Sequence, residues 1–280
     1  MWDLETCGDL EQKANFGKGK FGTEGNLNSN LKRKTKMKNL MMALAAAAMF
    51  AGCSEKGESL KMITEATFPP YEFLRGQEIV GIDVEICKAV AAKLGRPFEV
   101  ESVNFDSVIP TVISGKADLA AAGITVTEDR KKNVDFSIPY VKTGVVFVYK
   151  KGTPYAKGSD AKGKKVGVQS GTTSEAFVTD ELKQQPERFD SPAAAVAALK
   201  AGRVDVVIAD IDPAKNCVKG EAELALSGFI TSEEYAVAIR KGQPELLKAI
   251  NETIAEVKAD GRLAKWVAAY TAEADKLKEK

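Results

Sequence analysis

ADLAAAGITVTEDRKKNVDFSIPY, residues 117–140, is the stretch from which the rest of the chain can be laid out. It reads as a short buried strand of small apolar residues, a turn at Gly123, a helix start and an exit strand. Thr127 followed by Glu128, Asp129 and Arg130 has the form of an N-cap with a polar first turn. A helix start leaves backbone N–H groups unpaired and so attracts anions. An arginine fork in the first turn adds two parallel donors that match a carboxylate. Arg130, Lys131 and Lys132 equally make an ordinary solvated face, and this stretch by itself leaves both readings open.

Upstream, strands and helices alternate. Residues 60–66 form the first strand, followed by the loop Thr67-Phe68-Pro69-Pro70-Tyr71-Glu72-Phe73 and, at residues 76–81, a turn and short strand. Asp83 is expected to cap a helix with Ile86, Ala89, Val90 and Leu94 on one face, closed by Gly95. Residues 98–103 alternate as a strand, and Phe105-Asp106-Ser107 leads a helix that Gly115 stops. This succession is a βαβ pattern with a mostly parallel sheet.

Downstream the logic repeats. Residues 164–169 are a strand, Ser170-Gly171-Thr172-Thr173 a turn and residues 174–182 a helix, which makes a second anion cradle facing the first. Ser191 and Pro192 start an alanine-rich helix ending at Gly202. Residues 204–209 are a buried strand, and Asp210 follows its carboxyl end, where open α/β sheets bind ligands. Asp210-Ile211-Asp212-Pro213 is also turn chemistry, with Asp212 the expected cap. Residues 244–257 and 261–270 are helices, and the charged tail 273–280 is expected to fray. The predicted organisation is α/β with two lobes, residues 60–140 with 236–280 and residues 144–233. Each is a mostly parallel sheet flanked by helices, and hinge crossings at 140–144 and 233–236 join them.

Composition narrows the chemistry. The 280 residues carry 40 basic and 39 acidic side chains, net +1, so no nucleic-acid footprint stands out. Histidine is absent, which removes Ser-His-Asp and Cys-His catalysis and histidine-based zinc sites. The cysteines are too far apart for a metal knuckle. Residues 1–36 are polar and lack apolar periodicity; they read as a disordered leader or an artefact of the assigned start, with Met37 the natural one. Residues 37–52 then form a signal peptide, and Ala51-Gly52-Cys53 resembles a lipoprotein box, with Phe50 where leucine is usual. Cys53 is the expected lipidated N-terminus and residues 53–59 a tether. Cys87 and Cys217 fall in different lobes and are expected as buried thiols.

GITVTEDRKK with VDFSIPY, TEATFPPYE at residues 64–72 and KVGVQSGTT at residues 165–173 resemble the polar amino-acid family, family 3, of bacterial extracellular solute-binding proteins of ABC importers. The resemblance spans roughly residues 60–270. It implies a two-lobe periplasmic-binding-protein type II fold that closes on an amino acid and delivers it to an ABC permease, without catalysis, cofactor or metal. It further implies an extracytoplasmic monomer, membrane-bound only through its lipid. Gly123, Thr125 and Arg130 would hold the ligand's α-amino and α-carboxylate groups, with backbone N–H groups at Thr125 and Thr173 helping, Thr172 and Thr173 as the N-cap pair that exposes such groups, and Asp210 on the ammonium. Glu65 would meet the ligand side chain, with Phe68 and Phe105 stacking on it and Gln169 lining its pocket. The motifs look most like arginine-binding members; glutamine or another polar amino acid is the alternative. Cyclohexadienyl dehydratases also resemble this fold, and there Glu65 would be a cleft acid.

Overall fold

The computed structural model describes residues 58–277; the leader, the signal peptide and Cys53 lie outside them. The first lobe runs through β1 (Leu60–Thr64), β2 (Thr67–Phe68), β3 (Glu72–Arg75), β4 (Glu78–Val80), α1 (Ile82–Leu94), β5 (Phe98–Ser102), α2 (Phe105–Ile113), β6 (Leu119–Ala120), the one-turn α3 (Glu128–Lys131) and β7 (Val134–Phe136). The second holds β8 (Val141–Lys150), β9 (Val166–Gln169), α4 (Thr173–Ala176), β10 (Glu187–Phe189), α5 (Pro192–Lys200), β11 (Val206–Asp210), α6 (Ile211–Val218), β12 (Leu224–Leu226) and β13 (Thr231–Tyr235). β14 (Ala238–Arg240), α7 (Pro244–Ala259) and α8 (Arg262–Lys276) return to the first lobe.

The first sheet has the order β5-β1-β6-β14-β7 and the second β10-β9-β11-β8-β12, with β13 also on β8. Each is mostly parallel with one opposed strand, β14 in the first and β8 in the second. These are the strands that follow a crossing between lobes. They start where the other strands end and so run the opposite way.

Side-chain alternation gives each sheet two packed faces. In β8, Val146 and Val148 join one core cluster while Val145 and Phe147 join another. In β11, Val207 and Ala209 divide from Val206 and Ile208 in the same way. In β1, Leu60 and Met62 pack toward α1, α7 and α8, and Ile63 packs toward α2. The crossings pair with each other: β8 and β13 run antiparallel from Val141 opposite Tyr235 to Val145 opposite Thr231.

The local signals for helix ends hold. Thr127, Thr172 and Ser191 accept from the backbone N–H groups of Arg130, Glu175 and Ala194, and Gly95 takes the left-handed conformation at φ 65°. Other expectations change. The strand at residues 204–209 spans Val206–Asp210, so Asp210 is its last residue. Asp212 is no cap, for it lies in the first turn of α6 and accepts from the Tyr71 hydroxyl at 2.8 Å. Asp83 is no cap either: Gly81 holds that position, and the Asp83 side chain is buried. The helix at the end of the described chain continues through Lys276 because Tyr270 and Ala274 remain buried. Cys87 is a buried thiol, whereas Cys217 is half-buried.

Candidate functional site

Loops after β1 and β6 and the start of α2 in the first lobe meet loops after β9 and β11 in the second. Phe68, Phe105, Gly123, Thr125, Arg130, Thr172, Thr173 and Asp210 line one small pocket between the lobes, of about 10 Å³. Glu65 and Gln169 stand beside it and face each other across the lobes, Gln169 Nε2 lying 3.5 Å from Glu65 Oε2. Glu65 also accepts from the Thr67 hydroxyl at 2.5 Å, and burial raises its carboxyl above the usual range. A wider cavity of about 1000 Å³ opens on the other side of Thr125 and Thr173.

Arg130 is held by its polar contacts without being neutralised. Nη1 donates to Thr125 O at 2.8 Å and Nη2 to Gly171 O at 3.0 Å, so the side chain ties the two lobes. The guanidinium carbon lies 5.6 Å from the Phe105 ring centroid, which engages one face of that ring. No carboxylate of the described residues pairs with it within 4 Å. Burial disfavours its charge, while Glu233 and Asp210 oppose that effect. An arginine stays protonated under these conditions, so the site holds a cation with donors to spare.

Asp210 supplies the opposite charge. Its buried carboxylate accepts from the Tyr235 hydroxyl at 2.5 Å, and the side chain makes no bond to the start of α6 although it occupies the cap position. Burial, and next the charge of Glu233, push its carboxyl up to about 7. Thr125, also buried, donates its hydroxyl to Glu233 Oε2 at 2.6 Å.

Gly123 has φ 54°, and a Cβ there would stand 2.7 Å from Phe68 Cε1. The turn therefore needs glycine for its backbone and for the ring beside it. Its N–H donates to Asp83 Oδ2 at 2.9 Å, and the same oxygen accepts from the Tyr140 hydroxyl at 2.7 Å. Behind Asp83 lies Glu72, fully buried. As two carboxylates they leave both Glu72 oxygens and Asp83 Oδ1 without donors. Burial raises both carboxyls, and the neighbouring Asp83 charge helps to hold Glu72 well above the ordinary carboxylate range; a proton held between the two bonds one Glu72 oxygen to Asp83 Oδ1.

Sequence reasoning missed four residues of this arrangement: Glu72, Asp83, Glu233 and Tyr235. Their partners are far away in the chain, so no local pattern announces them. Two further ties cross the cleft on its other side, Tyr71 to Asp212 and Asn216 Nδ2 to Pro69 O at 2.7 Å. Among the described residues there is no cluster of potential metal ligands, and no helix is long and apolar enough to cross a membrane.

The model of bacterial extracellular solute-binding proteins, family 3, matches residues 60–273. ABC transporter arginine-binding protein 1 of Escherichia coli (strain K12) is 32% identical over 240 residues, covering 82% of this chain and 97% of the relative. An ancestral arginine-binding protein solved with arginine is 41% identical, with a TM-score of 0.71 over 77% of this chain and 99% of that one. An ancestral arginine-binding protein solved with glutamine is 42% identical, with a TM-score of 0.70 over 76% of this chain and 97% of that one.

Proposed function

The chain belongs to family 3 of the bacterial extracellular solute-binding proteins, and from that footing we propose that it captures an amino acid between its lobes and hands it to an ABC permease. The observation that carries this reading is the pair of opposite charges lining one small pocket between the lobes. Arg130 offers unpaired donors, and Asp210 offers a buried acceptor. A zwitterion answers both at once, and either charge left alone in the cleft would be costly. The carboxylate lies on Arg130 with the N–H groups at the start of α4. The ammonium lies on Asp210, the Thr125 hydroxyl and the Gly123 carbonyl. Because Arg130 and Asp210 come from different lobes, the ligand binds the closed arrangement best, and the two crossings act as the hinge.

For the side chain we favour arginine or another basic amino acid. The buried acid Glu65, next to Phe68, suits a guanidinium, and Gln169 adds no positive charge. The similarity to arginine-binding relatives agrees. The reaction is binding and release, with no chemical step. We further propose that Cys53 carries a lipid that keeps a monomeric protein at the outer face of a membrane.

A thermal-shift screen of the purified protein, refolded to strip carried-over ligand, tests this against the twenty amino acids, ornithine, citrulline and prephenate. Ligand at a hundred times its Kd adds about 2.7 kcal/mol and raises Tm by several degrees. A rise confined to arginine, lysine and ornithine is expected. A response to glutamine alone would remove Glu65 from side-chain recognition, and a response to prephenate alone would overturn the transport reading.

A further inference from the structure

We propose that Glu233, on the strand that carries the chain back to the first lobe, is a positioning residue: its bond to the Thr125 hydroxyl makes that hydroxyl an acceptor for the ligand's α-ammonium. The inference rests on the amino-acid reading of the site above.

A threonine hydroxyl has one proton and two lone pairs, and its free rotation lets it serve a donor or an acceptor equally. Here the proton is committed. Thr125 Oγ1 lies 2.6 Å from Glu233 Oε2, the short distance of a hydroxyl donating to a charged carboxylate. With its proton spoken for, Thr125 offers the cleft only lone pairs. Together with Asp210 and the Gly123 carbonyl this gives three acceptors on residues that line one space, the number that an ammonium's three N–H groups require. A ligand carboxylate turned toward this corner would meet only acceptors, so the same bond fixes which way round an amino acid sits.

Two further observations fit. Tyr235, two residues along the same strand, donates to Asp210 at 2.5 Å. The returning strand thus sets two of the three ammonium acceptors from behind. Glu233 also stays outside pairing distance of Arg130, whose ion-pair partners within 4 Å include no described carboxylate. It therefore orients Thr125 without pairing directly with the group that takes the ligand carboxylate.

The test compares ligands that differ only at the α-amino group. L-Arginine with 5-guanidinopentanoic acid, and L-glutamine with glutaramic acid, are titrated calorimetrically into wild type, Glu233→Ala, Glu233→Gln, Thr125→Val and the double variant Thr125→Val/Glu233→Ala. Glu233→Ala should weaken the α-amino ligand by about tenfold and the deaminated one by less than about twofold. Glu233→Gln, which keeps an acceptor oxygen at the same reach, should restore most of the loss. In the Thr125→Val background removing Glu233 should have no further effect. Equal weakening of both ligands, no weakening, or a loss that persists without the Thr125 hydroxyl would overturn the inference. Wild type that binds neither amino acid would overturn the site reading itself. Melting curves of each variant separate a folding defect from these outcomes.

Discussion

At the scale of single residues, Asp210 sets a pH dependence. Its carboxyl is pushed from an ordinary value near 3.8 to about 7 by burial and by the charge of Glu233. A raised carboxyl favours the fold below the unfolded value, and that contribution is lost as pH rises through 7. An ammonium ligand reverses the balance, since it needs the ionised form. Affinity should therefore rise by roughly tenfold or more between pH 5.5 and 7.5, and the ligand-induced rise in Tm should grow with it. Asp210→Asn should flatten this profile; calorimetry giving equal wild-type affinity at both pH values would contradict it. What was legible in the sequence follows the same line. Arg130, Thr127 and Gly123 stand in one short stretch whose cap, first turn and glycine obey local rules. Asp83 and Asp212 look like caps by those rules, yet tertiary donors claim them: Gly123 and Tyr140 in one case, Tyr71 in the other. Glu233 and Tyr235 meet residues 108 and 25 positions away, which no local pattern encodes.

At the scale of elements, the turn between β9 and α4 brings backbone of the second lobe directly against the first. Gly171 has φ 77°, and a Cβ on it would stand 2.8 Å from the backbone Cα of Asp106, at the start of α2 in the other lobe. Its carbonyl accepts from Arg130. Gly171→Ala adds both a strained conformation and a backbone collision that opening the cleft relieves, so it should weaken ligand binding by tenfold or more while shifting the ligand-free Tm by only a few degrees. Calorimetry with melting curves checks this, and unchanged affinity would show that the turn is not a closure contact. The sequence announced this turn through Thr172 and the strand before it. It gave no sign of the contact with α2, because that exists only once two lobes of separate sequence are brought together.

At the scale of the whole molecule, two sheets with their own cores are joined by a paired ribbon and tied across the cleft at both sides of the site. The alternating strand and helix pattern made both lobes readable; β14 and β8, each opposed to its sheet, record the points where the chain changes lobe. On the proposed function, the lobes close around a zwitterion gripped by Arg130 from one lobe and Asp210 from the other. Titration of Arg130→Ala against wild type, with the amino acid that raises Tm most in the screen, tests it directly. Removing one partner of a buried charge pair costs about 2–5 kcal/mol, so affinity should fall between roughly tenfold and several thousandfold. A loss of less than about threefold would place the ligand carboxylate elsewhere and rule out a grip by Arg130.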